Sequence, residues 1–396
     1  MKSLLLSLML LWVLPCSAQK AFKPVTTALK ANNYKETIQQ IDKLRSDSTY
    51  RNNAKLCLFS IEANRGLNDA QNLKIYLKQN YDTIAFFSTT RNIISEAVRL
   101  DSIENELQRT ENRKPKQTRL VCELLQKYFP NLNAAARYYY KKGNYNEAMP
   151  YLRTCLELPH TPLGIKAKLS TQTEANNALY YLTSAYNTQR YAEVTRYDSL
   201  ALTVTSARID ILKRLALTAK ATNDTLVYHN QLMNGWQEFP HDSFFFTRLA
   251  DFYNHNSQYE RTLKLAQKQL QTDSTYVAAH MAQCVAYYDL EQFDSCVVCA
   301  HRTLACDSTF AEAHYYAGAA YIRMIENIQV PEASESRAYR KALAEQQRLY
   351  KLAEPELEAY RKMEPQAQQQ WAPLLYKVYF ALNRGKKFAE IEKLLQ

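Results

Sequence analysis

Glycine is nearly missing from this chain, with 6 residues in 396. So few glycines argue against an architecture of tight hairpins, whose turns need positive φ. They also argue against a glycine-rich phosphate loop. Tryptophan is scarce, with three copies, one of them Trp12 close to the N-terminus. No Gly-x-Ser-x-Gly and no His-Glu-x-x-His occurs, so the familiar hydrolase and metallopeptidase signatures have no foothold. Beyond Ala18 no apolar run reaches the ~20 residues of a membrane-spanning helix. The net charge is +11, yet the longest cationic cluster is Arg113-Lys114-Pro115-Lys116. That cluster lies in a polar stretch and reads as a solvated loop, not as a nucleic-acid footprint. Acidic pairs such as Asp101 and Glu104 read as solvated helix faces.

What the chain does contain suits helix. Leu, Ala, Lys, Gln and Glu are common, apolar residues make up 46 %, and there are 29 tyrosines. Helix formers and a sufficient apolar fraction allow a core of packed helices. Tyrosine serves contacts between them, with an apolar ring and a polar tip. The N-terminus is different. Lys2 precedes Leu4 to Leu14, Pro15 breaks the run, and Cys16-Ser17-Ala18 follows. A charged start, a short apolar stretch and small residues read as a signal peptide over 1–18, with cleavage leaving Gln19 first. The expected location is therefore the periplasm or cell envelope, with no transmembrane helix in the mature chain. Acylation of Cys16 is the weaker alternative, because Pro15 fits a lipoprotein signal poorly.

Two windows are near-copies. Asp273-Ser274-Thr275-Tyr276-Val277-Ala278-Ala279-His280 returns as Asp307-Ser308-Thr309-Phe310-Ala311-Glu312-Ala313-His314, every number raised by 34. Tyr259 maps to Phe293 and Tyr287 to Tyr321, and stepping back from Tyr259 meets Thr225 and Tyr191. A fixed period of 34 marks an array of helix-turn-helix units. Within it, Leu132-x2-Ala135-Ala136-x2-Tyr139, Phe246-x2-Leu249-Ala250-x2-Tyr253, His314-x2-Ala317-Gly318-x2-Tyr321 and Trp371-x2-Leu374-Leu375-x2-Val378 each read as a first helix. Ala148-x3-Leu152 followed by Pro159, and Phe388 to Leu395, read as second helices. On these motifs the chain resembles the tetratricopeptide-repeat family. The resemblance implies an all-α, right-handed superhelical solenoid of about eight helix pairs. The expected organisation is divergent helical repeats over 19–110, a linker at 111–118, a regular array over 119–325, and an extended helix (336–362) with a capping repeat over 326–396. Asp-Ser-Thr starts, including Asp47-Ser48-Thr49, are expected to cap helix N-termini.

The resemblance also implies a binding surface in place of a reaction centre, and no cofactor. Projecting the repeat register onto the inner wall selects Arg137, Tyr140, Lys141, Tyr180, Tyr186, Arg248, Asn254, Tyr288, Tyr315, Tyr316, Arg323, Tyr376 and Tyr379. Tyrosine and arginine are the residues of interface hot spots. The competing reading is that such tyrosines brace one repeat against the next. The Lys/Asn clamp by which some family members hold a terminal carboxylate is absent, since the matching window offers Thr247, Asp251, Met281, Ala282, Glu312 and Tyr316. Cys284 and Cys296 fill small-residue slots of the two helices of one repeat, and so does Cys155. Core filling, a Cys284–Cys296 disulfide, and a metal site from His280, Cys284, Cys296 and Cys299 are the three readings of that cluster. The remaining histidines, His160, His229, His241, His255 and His301, sit at separate turns and helix ends. The expected partner is a protein or extended peptide, not nucleic acid. A glycan on aromatic platforms is the alternative.

Overall fold

The computed structural model describes residues 20–332 and 337–395. The leader over 1–18, including Cys16, lies outside the described residues. Among the described residues there are helices and turns and no strand. The chain divides into two compact units, residues 1–222 and 223–396. Their boundary falls inside the stretch read from sequence as one regular array.

Unit 1 begins with α1 (Lys23–Lys30) and α2 (Tyr34–Arg45), then a long hairpin of α3 (Ala54–Tyr76) and α4 (Thr83–Glu111). The 29-residue α4 buries Phe86, Phe87, Ile93, Ile94, Ala97 and Leu100 along one stripe. Asn68 of α3 closes the hairpin from inside: its buried amide donates to the Phe86 carbonyl and lies within hydrogen-bond distance of the Thr89 and Thr90 hydroxyls. Arg45 of α2 makes a bidentate pair with Glu96 of α4, both contacts at 2.6 Å, and both side chains are largely shielded from water. A planar guanidinium matches a carboxylate in this way. Residues 112–117 link α4 to α5 (Thr118–Lys141), a 24-residue helix that runs through Pro130. The first repeat helix centred on Ala135 is thus the second half of a longer one. Next come α6 (Tyr145–Glu157), α7 (Pro162–Lys166), α8 (Glu174–Asn187), α9 (Tyr191–Val194), α10 (Asp198–Ala201) and α11 (Arg208–Ala221). The repeat step at Tyr191 therefore yields two short helical pieces where a full second helix is expected. One continuous core extends from Cys57 to Leu215.

Unit 2 is more regular. α12 (Thr225–Glu238), α14 (Tyr259–Thr272) and α16 (Phe293–Cys306) begin at the constant repeat interval read from sequence, and so do α13 (Ser243–His255), α15 (Val277–Asp289) and α17 (Ala311–Glu326). The same step governs the turns. Gln189, Asn223, Ser257 and Glu291 all have φ between 55° and 58°. These positions hold left-handed backbone without glycine, so each carries a conformational cost of about 1 kcal/mol. Among the described residues, Gly143 is the one glycine at such a turn and meets the requirement freely, at φ 73°. The Asp-Ser-Thr starts work differently from the expectation. Asp273 accepts from the Thr275 N–H and hydroxyl at 2.9 and 2.7 Å, and Asp307 accepts from Thr309 at the same distances. Each Asp closes a local turn before the helix, while Tyr276 and Phe310 occupy the N-cap positions. The aspartate side chain folds back on its own loop and does not reach the helix N–H groups.

The long C-terminal helix is α18 (Arg337–Met363), followed by α19 (Gln368–Ala381) and α20 (Gly385–Leu395). The helix expected from 336 starts at Arg337 among the described residues. Leu349, Ala353, Leu357 and Tyr360 of α18 are buried, while Leu343 is exposed. Gly318 of α17 explains the close approach. A Cβ there would sit 2.6 Å from Leu357 Cγ, so only hydrogen fits. Trp236 and Gln269 lock α12 to α14 through a buried 2.7 Å hydrogen bond, and Gln269 donates onward to the Pro240 carbonyl.

Candidate interaction surfaces

The first helices of successive repeats supply the candidate residues, and each unit presents its own wall. In unit 1, α5 and α8 bound a cleft of about 380 Å³. Phe129 and Ala134 give it an apolar floor, and Asn133, Asn177, Arg137 and Tyr180 give it polar edges. Asn133 accepts from Thr173 and Asn177 at 3.0 and 2.8 Å, which ties the two helices together. Tyr140 and Tyr180 stack on each other with centroids 4.2 Å apart and planes 23° apart. Each stays half-buried, and burial pushes the Tyr140 hydroxyl above its usual range. Arg137 and Lys141, one turn apart on the same helix, are exposed, and neither has a hydrogen-bond or ion-pair partner among the described residues. Tyr186 packs edge-on against Tyr191.

In unit 2 the wall is built by α13, α15 and α17. A cavity of about 450 Å³ opens among Phe246, Asp251, Asn254, Met281, Val285 and Tyr316. Of the window compared with a carboxylate clamp, Thr247, Asp251, Met281, Ala282 and Tyr316 line this cavity and Glu312 does not. Tyr288, Tyr315 and Tyr316 form an edge-to-face chain, with centroid spacings of 5.3 Å for Tyr288–Tyr316 and Tyr315–Tyr316. Tyr315 also packs on Tyr360 of α18 at 5.2 Å. Burial pushes the hydroxyls of all three upward. The cations here are engaged. Arg248 lies 3.8 Å over the Phe244 ring, a cation–π geometry. Arg323 pairs with Glu326 and Glu291 at 3.2 and 3.5 Å. Asn254 accepts from Thr262 at 2.5 Å. Asp289 contributes a carboxyl that desolvation holds above the usual carboxylate range.

Tyr376 is half-buried and packs on Phe388 at 4.7 Å. Tyr379 does not belong to any open wall. It is 1 % exposed and donates to Glu358 at 3.0 Å. Its ring belongs to the buried cluster that also holds Leu357, Tyr360 and Trp371, so packing against α18 takes it from the open face.

Cys284, Cys296 and Cys299 lie in the buried core of unit 2. Cys284 and Cys296 are fully buried free thiols with sulfurs 3.5 Å apart. Their hydrogen-bonded contact and burial hold the Cys284 thiol well above its usual range. His280 turns away, with Nε2 2.9 Å from the Ser274 carbonyl, and Cys299 points to Gln283. The four candidate ligands do not converge, and no group of three potential metal ligands occurs among the described residues. A feature not anticipated from sequence stands nearby: Glu356 of α18 takes His301 on one oxygen at 3.1 Å and His314 on the other at 2.6 Å. One carboxylate thus joins α16, α17 and α18. Both partners are distant from Glu356 along the chain, so local spacing gave no sign of the bridge.

The charge is divided unevenly. Residues 1–222 carry 32 Lys and Arg against 18 Asp and Glu, a net +14, while residues 223–396 carry 18 against 21, a net −3.

Neither a family model nor a curated protein matches this chain. Solved structures do show likeness. The C-terminal part of a TPR repeat-containing protein from Cytophaga hutchinsonii is 12 % identical, with a TM-score of 0.43, over 64 % of this chain and 90 % of that one. A tetratricopeptide repeat protein from Parabacteroides merdae is 14 % identical, with a TM-score of 0.37, over 67 % and 98 %. YrrB, described as a TPR protein with an unusual peptide-binding site, is 12 % identical, with a TM-score of 0.34, over 51 % and 92 %. At these identities and scores none of them assigns a ligand or a site residue to this chain.

Proposed function

We propose that this chain, an all-α array of helix pairs of tetratricopeptide type, is a non-catalytic interaction scaffold that holds an extended protein segment. One observation carries the reading: Arg137 and Lys141 stand exposed and unpaired beside the Tyr140–Tyr180 stack, at the edge of an open cleft with an apolar floor. Unpaired cations next to rigid aromatic surface favour a segment that carries carboxylates. In unit 2 the equivalent wall engages its cations, Arg248 on the Phe244 ring and Arg323 with Glu291 and Glu326, so it suits an uncharged stretch of the partner. A glycan has less support, because the ring faces it would stack on are taken by neighbours, Tyr140 by Tyr180 and Tyr315 by Tyr360.

The test is fluorescence anisotropy against an array of extended acidic peptides. Arg137→Glu with Lys141→Glu is expected to weaken binding of acidic members about 30-fold. Added salt should weaken wild-type binding and, by screening the repulsion the two glutamates introduce, strengthen what binding the variant retains. Equal binding by both proteins would remove unit 1 as the binding wall. We further propose that the scaffold works in the cell envelope. The support is the leader Lys2 to Ala18, and mass spectrometry of the chain from its source cells should find Gln19 as the first residue.

A further inference from the structure

The turn between α3 and α4 concentrates exposed apolar side chains as no other described part of the chain does. Tyr76 is 83 % exposed, Ile84 65 %, Leu73 58 % and Leu77 52 %, with Ile75 and Tyr81 also exposed. Six large hydrophobic residues thus face water between Leu73 and Ile84. Leu73, Tyr76 and Leu77 follow i, i+3, i+4 spacing and share one face of the last turn of α3. Nothing among the described residues covers that face. Lys74 and Lys78 repeat the one-turn step beside it, both exposed and without a partner among the described residues. The only carboxylate within the turn, Asp82, is engaged in capping α4 by accepting from the Ala85 N–H at 2.9 Å.

The tip is also held in shape. The Leu77 N–H donates to the Leu73 carbonyl and the Gln79 N–H to the Lys74 carbonyl, around Lys78 in a left-handed conformation. Gln71 accepts from the Asp82 N–H at 2.9 Å, and Tyr81 packs edge-on against Phe86. Tied in this way, the end of the helical hairpin holds its apolar side chains outward, toward water. Its tyrosines combine an apolar body with a polar tip, and its lysines can extend outward past the apolar set. That combination matches the boundary between acyl chains and headgroups. Charge supplies the choice of surface: the tip is cationic and belongs to the unit that carries a net +14, which favours anionic headgroups.

We propose that the α3–α4 tip is a membrane-interface anchor, with Leu73, Tyr76, Leu77 and Ile84 entering the edge of an anionic bilayer and Lys74 and Lys78 meeting its headgroups. The anchor is independent of the cleft at Arg137, so either proposal can fail alone. The test is flotation of the chain from Gln19, which retains every packed residue from Phe22 onward, with phosphatidylglycerol–phosphatidylethanolamine vesicles and with neutral phosphatidylcholine vesicles. Wild type should float with the anionic vesicles and remain behind with the neutral ones. Tyr76→Glu with Leu77→Glu should lower the partition about 100-fold. Lys74→Gln with Lys78→Gln should lower it about tenfold and flatten its salt dependence. All four positions are exposed, so helical circular dichroism should be unchanged in both variants. In Tyr76→Trp, emission should shift to the blue on adding anionic vesicles. Flotation that fails in wild type, or that persists undiminished in the Tyr76/Leu77 variant, overturns the proposal. So does sedimentation showing a wild-type dimer that the same variant abolishes without vesicles, which would make the tip a contact between two copies.

Discussion

The two units use one structural plan with opposite electrostatics. Unit 1 has the less uniform helices, from 4 residues in α9 and α10 to 29 in α4, together with the excess of cations and the unpaired Arg137 and Lys141. Unit 2 keeps the strict repeat step and pairs or stacks the wall cations Arg248 and Arg323. A single net charge of +11 conceals this division. The lesson is that backbone regularity and surface availability are separable: the repeat register places a residue on a wall, and its neighbours decide whether it is free to bind.

The largest expected effect tests how each unit holds its helices together. Glu96→Gln in unit 1 leaves Arg45 without its bidentate partner in a mostly dry site, and about 3–4 kcal/mol of unfolding free energy should be lost in urea titration. The matching change in unit 2, Glu356→Gln, should cost less, about 1–2 kcal/mol, because His301 is half open to water. Equal losses would mean that the two units rely on their polar ties to the same degree. Next in size, Gly318→Val should destabilise unit 2 by about 2–3 kcal/mol, since the added carbons meet Leu357. A Leu357→Ala change in the same chain should recover part of that loss.

Acid provides a third comparison. In unit 2, burial of Glu354 disfavours its charge, but Arg384 and Lys387 outweigh burial and hold its carboxyl below the usual range. In unit 1, the Tyr181 hydroxyl lowers Glu193, burial opposes it, and Arg153 and Arg196 add to the lowering. A carboxyl with a depressed native pKa stabilises the fold above its unfolded value near ~4.3 and loses that contribution as pH falls through the native value. Both units should therefore weaken below about pH 4, and Arg384→Gln should flatten the slope for unit 2 only, as followed by thermal melts across the acid range. Thiol labelling separates the units as well. Burial raises Cys57 and Cys299 to about 11, so native protein near neutral pH should be alkylated first at exposed Cys306 and then at half-buried Cys122. The smallest effect concerns the turns: Gln189→Gly or Glu291→Gly should each stabilise by about 0.5–1 kcal/mol, because glycine meets the left-handed conformation without steric cost.

Much of the fold was readable from sequence because repetition writes the same packing rule several times. Phe246, Leu249, Ala250 and Tyr253 announced α13, and they are all buried. Other features depended on tertiary contacts that no local pattern reports. Tyr379 satisfied the wall register yet lies inside. Tyr191 kept the repeat step, but its helix stops at Val194. The Glu356 bridge joins side chains far apart in sequence. The apolar spacing at Leu73, Tyr76 and Leu77 was present in the letters, but an ordinary core face has the same spacing, and only the packed structure shows it uncovered.

The recurring left-handed turn has a consequence for how such a chain changes in length. Ser257 precedes Gln258, and Glu291 precedes Gln292; each glutamine sits at the N-cap of the following helix. Removing residues 258–291 would join Ser257 to Gln292, restoring the dipeptide Ser-Gln with the backbone already suited to the seam. Whole modules can then be excised or duplicated in register, so the reach of the unit 2 wall becomes adjustable by genetic slippage in place of gradual redesign.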